Sequence, residues 1–151
     1  MKSIISIRKL IITSILSSFL VVSNQPVFAT TETNELPKCI VISHCVKENW
    51  KVNSLEENFQ KAVKAVASTP RVKIVEQNDS YIHAEAKTKW MRYTDDLLLK
   101  AIIEKGVIQV RSESRVGIGD NGVNQERVDN LANHLARILE IDINSLHREK
   151  V

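Results

Sequence analysis

The chain has 151 residues, of which 43% are hydrophobic and 26% charged, with four Gly and three Pro. This composition is that of a globular protein and excludes the collagen-like, disordered and low-complexity classes. The formal net charge of +3 does not indicate nucleic-acid binding, because the excess lies in Lys2, Arg8 and Lys9, and residues 30–151 carry equal numbers of basic and acidic side chains.

The first 29 residues have the pattern of an export signal. Basic residues at the start precede a mainly apolar run over 10–22, and Val27-Phe28-Ala29 places small or apolar side chains at a cleavage site. The run is shorter than the roughly 20 residues that cross a bilayer. We therefore predict a signal peptide over 1–29 and no stable transmembrane span after cleavage; the alternative is an uncleaved membrane anchor.

The next segment, 30–53, contains the two cysteines, Cys39 and Cys45. In an oxidising compartment the two cysteines have a spacing that allows a disulfide, provided that the intervening turn brings their Cα atoms together. Two unpaired cysteines are an equal alternative, and a metal or thiol site with His44 is a minor one. No metal and no cofactor is predicted, because the usual set of three or four ligands is absent from the pattern.

Residues 54–140 are expected to form one α+β domain. A capping-box pattern from Ser54 to Glu57 and apolar residues at helical spacing predict a helix over 55–67, which ends before Pro70. Between residues 71 and 114 the hydrophobic period changes to two, which predicts strands.

Turns between these strands predict a four-stranded antiparallel meander. A turn at 105–106 would place Ala101 opposite Val110 and Asp96 opposite Arg115, which predicts an ion pair between Asp96 and Arg115.

Two further turns complete the predicted sheet. The first would place Trp90 opposite Leu97, and the second would place Ile74 opposite Ile82. In these registers all four strands share one apolar face.

A glycine-rich loop follows the strands. Residues 117–122 match the G-x-G-x-x-G pattern of a dinucleotide site, but we reject that interpretation because no parallel strand follows the next helix. Asn124 is predicted to cap a helix over 125–140, after which 141–151 would form a tail. The predicted fold is α+β: a four-stranded antiparallel meander with an N-terminal and a C-terminal helix packed on one face.

The opposite face of the sheet is predicted to be open. On it, Leu98, Ile102 and Val107 form an apolar strip among charged residues. Such a face is either solvated surface or a surface for a protein partner, and the sequence leaves both interpretations open.

Candidate catalytic groups are poorly placed. Asp95 and Asp96 are neighbours in a predicted strand, so they point to opposite faces and cannot share a proton or a metal. Ser112 and Ser114 have no histidine placed to act as their base. We predict no catalytic residues.

The pattern of these residues resembles the domain-of-unknown-function family 1499. The sequence matches its R-S-x-S-R strand at 111–115, its G-x-x-D-x-G-x-N loop at 117–124 and its earlier Asp-Asp pair, but departs from it at Lys38 and Ile40. The resemblance implies an exported protein of the periplasm or thylakoid lumen of a phototroph, with no established activity. It assigns the following hallmark positions: Asp95, Asp96, Arg111, Ser112, Ser114, Arg115, Gly117, Asp120, Gly122, Asn124 and Arg127.

Most hallmark side chains are expected to form a polar latch that joins the last strand to the final helix. The leading hypothesis is an exported accessory or binding protein that contacts a protein partner through the open sheet face or the glycine-rich loop. The alternative is a small enzyme or anion-binding protein that uses Arg111, Arg115 and Asp120 in a pocket at the loop.

Overall fold

The computed structural model describes residues 34–117 and 119–151, so the predicted signal peptide over 1–29 lies outside the described residues. Within these described residues, two α-helices and six strands form the fold. In chain order they are β1 (Cys45–Lys51), α1 (Leu55–Ala67), β2 (Val72–Gln77), β3 (Tyr81–Lys87), β4 (Thr94–Ile102), β5 (Val107–Ser114), α2 (Val123–Leu139) and β6 (His147–Lys150), with short 3-10 turns at Ile103–Lys105 and Ile143–Ser145.

The six strands form one antiparallel sheet in the order β2-β3-β4-β5-β1-β6. The α+β class with an antiparallel sheet and two helices is therefore confirmed, but the prediction of four strands was wrong. The two additional strands come from segments 30–53 and 141–151, and the second of these had been predicted to form a tail. Both strands are rich in charged residues, which hides the alternation that identifies a strand in a sequence.

The two helices share one core with the sheet. Phe59 and Val66 of α1 and Leu135 of α2 are fully buried with Trp50 of β1 and Ile108 of β5. This core is the apolar layer that the two-residue period predicted, and it covers one face of the sheet, here called the inner face.

Helix α1 has the predicted bounds, but not the predicted cap. The side chain of Ser54 makes no capping hydrogen bond, and Glu57 pairs with Lys61 instead, with Oε1 and Nζ 2.7 Å apart. The helix is stabilised mainly by its buried apolar stripe rather than by its N-terminal side chains.

Helix α2 begins earlier than predicted. Gly122 is the N-cap residue, with φ of 81° in the left-handed region that favours glycine, and Asn124 is fully buried inside the first turn. The prediction that Asn124 caps the helix was therefore wrong, and Asp120 accepts the backbone hydrogen bonds of that turn.

The registers predicted between β4 and β5 and between β3 and β4 were both wrong by an even number of residues. Ala101 pairs with Ile108 rather than Val110, because the 3-10 turn and Gly106 make a longer connection than a two-residue hairpin. Leu97 pairs with Ala84 rather than Trp90. Because side chains alternate with a period of two, even shifts leave each residue on its predicted face.

The register between β2 and β3 also differs. Ile74 pairs with Ala84 rather than Ile82, and the pairing shifts by one residue at a bulge between Ile74 and Glu76. The bulge leaves Val75 exposed on a strand at the edge of the sheet.

The opposite, outer face of the sheet is open only in part. Over β1, β4 and β5, the side chains of Lys47, Ile102 and Gln109 are buried, and Leu36 is buried with them. The backbone N–H of Leu36 donates to Oε1 of Gln109 at 2.6 Å, so the segment before β1 packs against this face. The uncovered part lies over β2, β3 and the adjacent side of β4.

Candidate functional site

The first group of hallmark residues lies on the inner face, where β4, β5 and α2 meet; we call Asp95, Ser112, Ser114, Asn124 and Arg127 the inner cluster. Nη2 of Arg127 lies 2.6 Å from Oδ2 of Asp95, and its Nη1 donates to Oγ of Ser112 at 2.8 Å. The side chains of Asp95 and Arg127 are only 2% and 10% exposed. An ion pair that is removed from water in this way holds the helix to the sheet.

Asn124 is at the centre of the inner cluster. Its side-chain oxygen accepts hydrogen bonds from Ser112 Oγ at 2.7 Å and from Arg127 Nη1 at 2.5 Å. Its side-chain nitrogen donates to Ser114 Oγ and to the backbone oxygen of His44, each at 2.9 Å. The buried amide is therefore satisfied on both sides, and it links α2 to β5 and to the residue that precedes β1.

Asp120 completes the start of α2. Its carboxylate accepts hydrogen bonds from the backbone N–H groups of Gly122, at 2.9 Å, and Asn124, at 2.8 Å. Burial opposes ionisation of this carboxyl, but the hydrogen bonds outweigh it and hold the pKa of Asp120 below its ordinary value. The carboxylate of Asp120 therefore stabilises the N-terminus of α2.

A second group of charged residues lies on the outer face; we call His83, Glu85, Asp96 and Arg115 the outer cluster. Arg115 donates through Nε and Nη2 to the two oxygens of Asp96, at 3.0 and 2.7 Å, and through Nη2 to Glu85 at 2.9 Å. His83 Nε2 lies 2.6 Å from Asp96 Oδ1. Hydrogen bonds from Arg115 are the largest cause that lowers the pKa of Asp96.

The contact between Asp96 and Arg115 was predicted from the wrong register. The backbone of Asp96 pairs with Glu113, and Arg115 reaches Asp96 diagonally from two residues further along. Because diagonal neighbours on one face lie within reach of a long side chain, the contact survives the shift.

Arg111 belongs to neither cluster. It is buried on the outer face of β5, where Nη2 donates to Oε2 of Glu113 at 2.6 Å while Nε has no hydrogen-bond partner among the described residues. Lys47 and Leu98 flank it on the neighbouring strands. The hallmark residues therefore divide between the two faces of the sheet, and the inner cluster is the group that joins β5 to α2.

Sequence reasoning missed a third polar group, which joins β1, α2 and β6. Glu48 is 2% exposed and accepts from Nε of Arg148 at 2.7 Å and from Trp50 Nε1 at 2.9 Å. Arg148 also donates to Asp129 of α2 at 2.5 Å. Burial opposes ionisation of Glu48, but these donors hold its pKa below the ordinary value. Residues 46–50 carry no clear strand signal, because Glu48 interrupts the alternation between Val46 and Trp50.

The segment before β1 is fixed by polar contacts and by a disulfide. Glu35 pairs with Lys105 and with Lys47, whose Nζ donates to the backbone oxygen of Leu36 at 2.8 Å. The sulfurs of Cys39 and Cys45 are bonded, with their Cα atoms 5.5 Å apart. The sequence had left this pairing open.

A cleft of about 800 Å³ lies elsewhere, between the C-terminal ends of the two helices. Charged, polar and apolar side chains line it, among them Arg71, His134, Arg137, Ile141 and Asp142. None of the hallmark residues borders this cleft.

The chemistry available to the hallmark groups is limited by their partners. Ser112 Oγ donates to Asn124 and accepts from Arg127, so neither of its partners is a general base. Among residues 34–117 and 119–151, no three His, Cys, Asp or Glu side chains are grouped in a way that could hold a metal ion. The geometry is that of residues that hold secondary-structure elements together.

The family model described as "Protein of unknown function (DUF1499)" matches residues 22–135. The chain belongs to this family. The match spans the sheet from β1 to β5 and most of α2, so it includes both clusters, whereas β6 lies beyond it. No curated protein matches the chain significantly. In the part of the chain that the structure describes, no helix is both long and apolar enough to cross a bilayer.

Proposed function

We propose that this member of the family is an exported accessory protein that binds a protein partner and carries no catalytic machinery. The observation that carries the proposal is that the hallmark side chains are engaged with one another. Arg127 pairs with Asp95 on the inner face, and Arg115 pairs with Asp96 on the outer face. A catalytic side chain must be able to contact a substrate, whereas these side chains are already bonded to other residues of the protein.

The enzyme or anion-binding alternative requires Arg111, Arg115 and Asp120 to converge. Arg115 is occupied by two carboxylates on the outer face, and Asp120 is occupied by the start of α2. Arg111 is held by Glu113. An anion at this site would have to displace carboxylates that are already in place, and this favours the binding hypothesis.

The proposed compartment is the periplasm or the thylakoid lumen of a phototroph. The export-type pattern of residues 1–29 supports it, as does the resemblance to exported phototroph proteins. A disulfide between Cys39 and Cys45 is compatible with an oxidising compartment of this kind.

The proposed contact surface is the uncovered part of the outer face over β2, β3 and β4. Leu98 and Tyr81 are half-buried there beside Lys100, and Val75 is exposed at the bulge of the edge strand. An apolar centre with a charged margin is the usual composition of a protein-contact surface.

Affinity capture tests this surface when it compares matched variants. The chain 30–151 would be used as bait against the contents of its own compartment, as wild type, Leu98→Asp and Lys100→Glu. Ile103→Asp is the control, because Ile103 is exposed in the turn between β4 and β5 rather than on β2, β3 or β4. We expect one partner to be retained by the wild type and the control and lost by both surface variants. A partner that is retained equally by all four proteins would contradict the proposed surface.

A titration with inorganic phosphate tests the alternative directly. The NMR amide resonances of residues 111–117 should not shift in the wild type, because Arg111 and Arg115 each already contact a carboxylate. A saturable shift that is lost in Arg115→Gln would overturn the proposal of a binding protein without an anion site.

A further inference from the structure

Three loops lie side by side at one end of the sheet, and we call this the loop end. They are residues 38–44 before β1, residues 88–93 between β3 and β4, and the start of the β5–α2 connection at 115–117. The strand pairs Cys45–Glu113, Asp95–Ser114 and Lys87–Thr94 place all three loops at this same end.

The loops are held in position by hydrogen bonds. His44 Nδ1 donates to the backbone oxygen of Gly117 at 3.0 Å, which joins the first loop to the third. Within the second loop, the backbone N–H of Thr88 donates to the backbone oxygen of Tyr93, and the N–H of Tyr93 donates to Thr88 Oγ1, each at 2.9 Å. The disulfide between Cys39 and Cys45 closes the first loop. The surface is therefore formed before any partner binds.

Large apolar side chains project from the loop end into solvent. Ile40, Ile42 and Trp90, which we call the apolar tips, are 89%, 85% and 84% exposed. Met91 and Val116 are exposed beside them. Exposed apolar side chains that gather at one place, rather than singly, mark a contact surface.

The charges at the loop end are of one sign. Lys38, Lys89 and Arg92, which we call the basic frame, flank the apolar tips, and residues 38–44 and 88–93 contain no Asp or Glu. Lys89 Nζ lies 5.3 Å from the ring centroid of Trp90. Since residues 30–151 have no net charge, the positive charge here is a local feature.

We propose that the loop end docks the protein onto an anionic membrane surface. The apolar tips enter the headgroup region, where tryptophan side chains accumulate, and the basic frame contacts anionic headgroups. A bilayer fits better than a protein partner, because a protein-contact centre is depleted of charge, whereas here lysine and arginine alternate with the apolar side chains. This surface is separate from the sheet face proposed for a protein partner, so the two proposals fail independently.

Vesicle sedimentation tests the docking. Oxidised chain 30–151, which contains the strands, helices and core residues described above, is mixed with vesicles of phosphatidylcholine and phosphatidylglycerol, or of phosphatidylcholine alone. We expect binding to the anionic vesicles that weakens as salt is raised, and little binding to the neutral ones. Ile40→Asp with Trp90→Asp should weaken binding by at least about tenfold. Lys38→Gln with Lys89→Gln should weaken it by about fivefold for each charge.

Matched controls separate docking from damage to the fold. Ile103→Asp removes an equally exposed apolar side chain at the opposite end of β4 and should bind like the wild type. Trp90 emission should shift to shorter wavelength on anionic vesicles and be quenched by brominated lipid, whereas Trp50 is buried and gives a constant background. Trp90→Phe should keep the binding and lose the shift.

Three results would overturn the proposal. One is no binding to anionic vesicles by the wild type. Another is binding that the loop-end variants retain in full while their thermal unfolding is unchanged. The third is a protein partner whose capture requires the apolar tips, in the absence of any vesicle binding.

Discussion

Asp95 at the start of β4 and Arg127 in α2 form a buried ion pair, with Oδ2 and Nη2 2.6 Å apart. The two residues are 32 positions apart in the chain, and their ion pair bridges β4 to α2 within the segment that the family model matches. Removing a charge from water is costly unless it is paired, so each residue stabilises the fold only while the other is present. The pairing therefore gives both residues a structural role in this chain.

Asn124→Ala should destabilise the protein by about 2–4 kcal/mol. The substitution removes the hydrogen bonds of a fully buried amide. The hydroxyl of Ser112 then loses an acceptor and the hydroxyl of Ser114 loses a donor. Urea unfolding measures the loss. Asn130→Ala is the control on the same helix, because Asn130 is exposed, and it should change stability by less than about 0.5 kcal/mol. Equal losses for the two variants would refute the central position of Asn124.

Acidification should weaken the contact between Asp96 and Arg115. The pKa of Asp96 is below its ordinary value of 3.8 in the folded protein, so between the two values the unfolded chain binds a proton that the folded chain does not. The stabilisation is present above about pH 4 and is lost as pH falls below it. Asp96→Asn should remove this contribution to the pH dependence of the unfolding free energy. The contribution is less than about 1 kcal/mol, because the pair is partly exposed.

Other carboxylates set the background for this measurement. Glu35, Glu48 and Asp120 also have lowered pKa values, so Asp96→Asn should still lose stability in acid, but with a smaller slope. Unfolding free energies from about pH 2.5 to about pH 6, which extend well below and well above the transition, measure the difference. The same slope in wild type and Asp96→Asn would be inconsistent with the contact.

Arg148→Ala should cost about 3–5 kcal/mol, because it leaves the carboxylate of Glu48 buried without its cation. The matched control is Glu149→Ala, which alters an exposed side chain of the same strand. Adding Glu48→Gln to Arg148→Ala should recover part of the loss. If Arg148→Ala were no more harmful than Glu149→Ala, β6 would not be docked as described.

Reduction of the disulfide should lower stability by about 2 kcal/mol, since the bond closes a ring of seven residues in the unfolded chain. Thermal unfolding with and without dithiothreitol measures the effect. The variant with both Cys39→Ser and Cys45→Ser should match the reduced protein and be insensitive to the reductant. A reductant effect that persists in the double variant would mean that the bond is not its cause.

The face of each central strand could be predicted from the sequence, whereas its register could not. Ile82, Leu99 and Ile108 lie on the inner face as the period of two predicts, because burial of one face fixes that parity. The register depends on the length of each turn, and the turns at 88–93 and 103–106 do not have a sequence that identifies their type. Contacts between residues that are distant in the chain then select one register among those that differ by two residues.

The two missed strands and the wrong prediction of a cap at Asn124 have a common physical cause. Glu48 in β1 and Arg148 in β6 lie on the inner face, where the pattern expects apolar residues, and each is acceptable there only because of the other. Asn124 likewise has a sequence position typical of a helix cap, but tertiary hydrogen bonds draw it into the interior. A buried polar pair of this kind is visible only once the chain is folded.

The account rests on the claim that the hallmark residues stabilise the fold rather than react. A double-mutant cycle on Asp95→Asn and Arg127→Met, measured by urea unfolding without any ligand, tests it most directly. We predict that Arg127→Met alone loses about 3–5 kcal/mol, and that the double variant loses clearly less than the sum of the two single losses, with a coupling of about 2 kcal/mol. Catalytic residues are often replaced without loss of stability. Single variants that are as stable as the wild type or more stable, with no coupling between them, would therefore contradict the account.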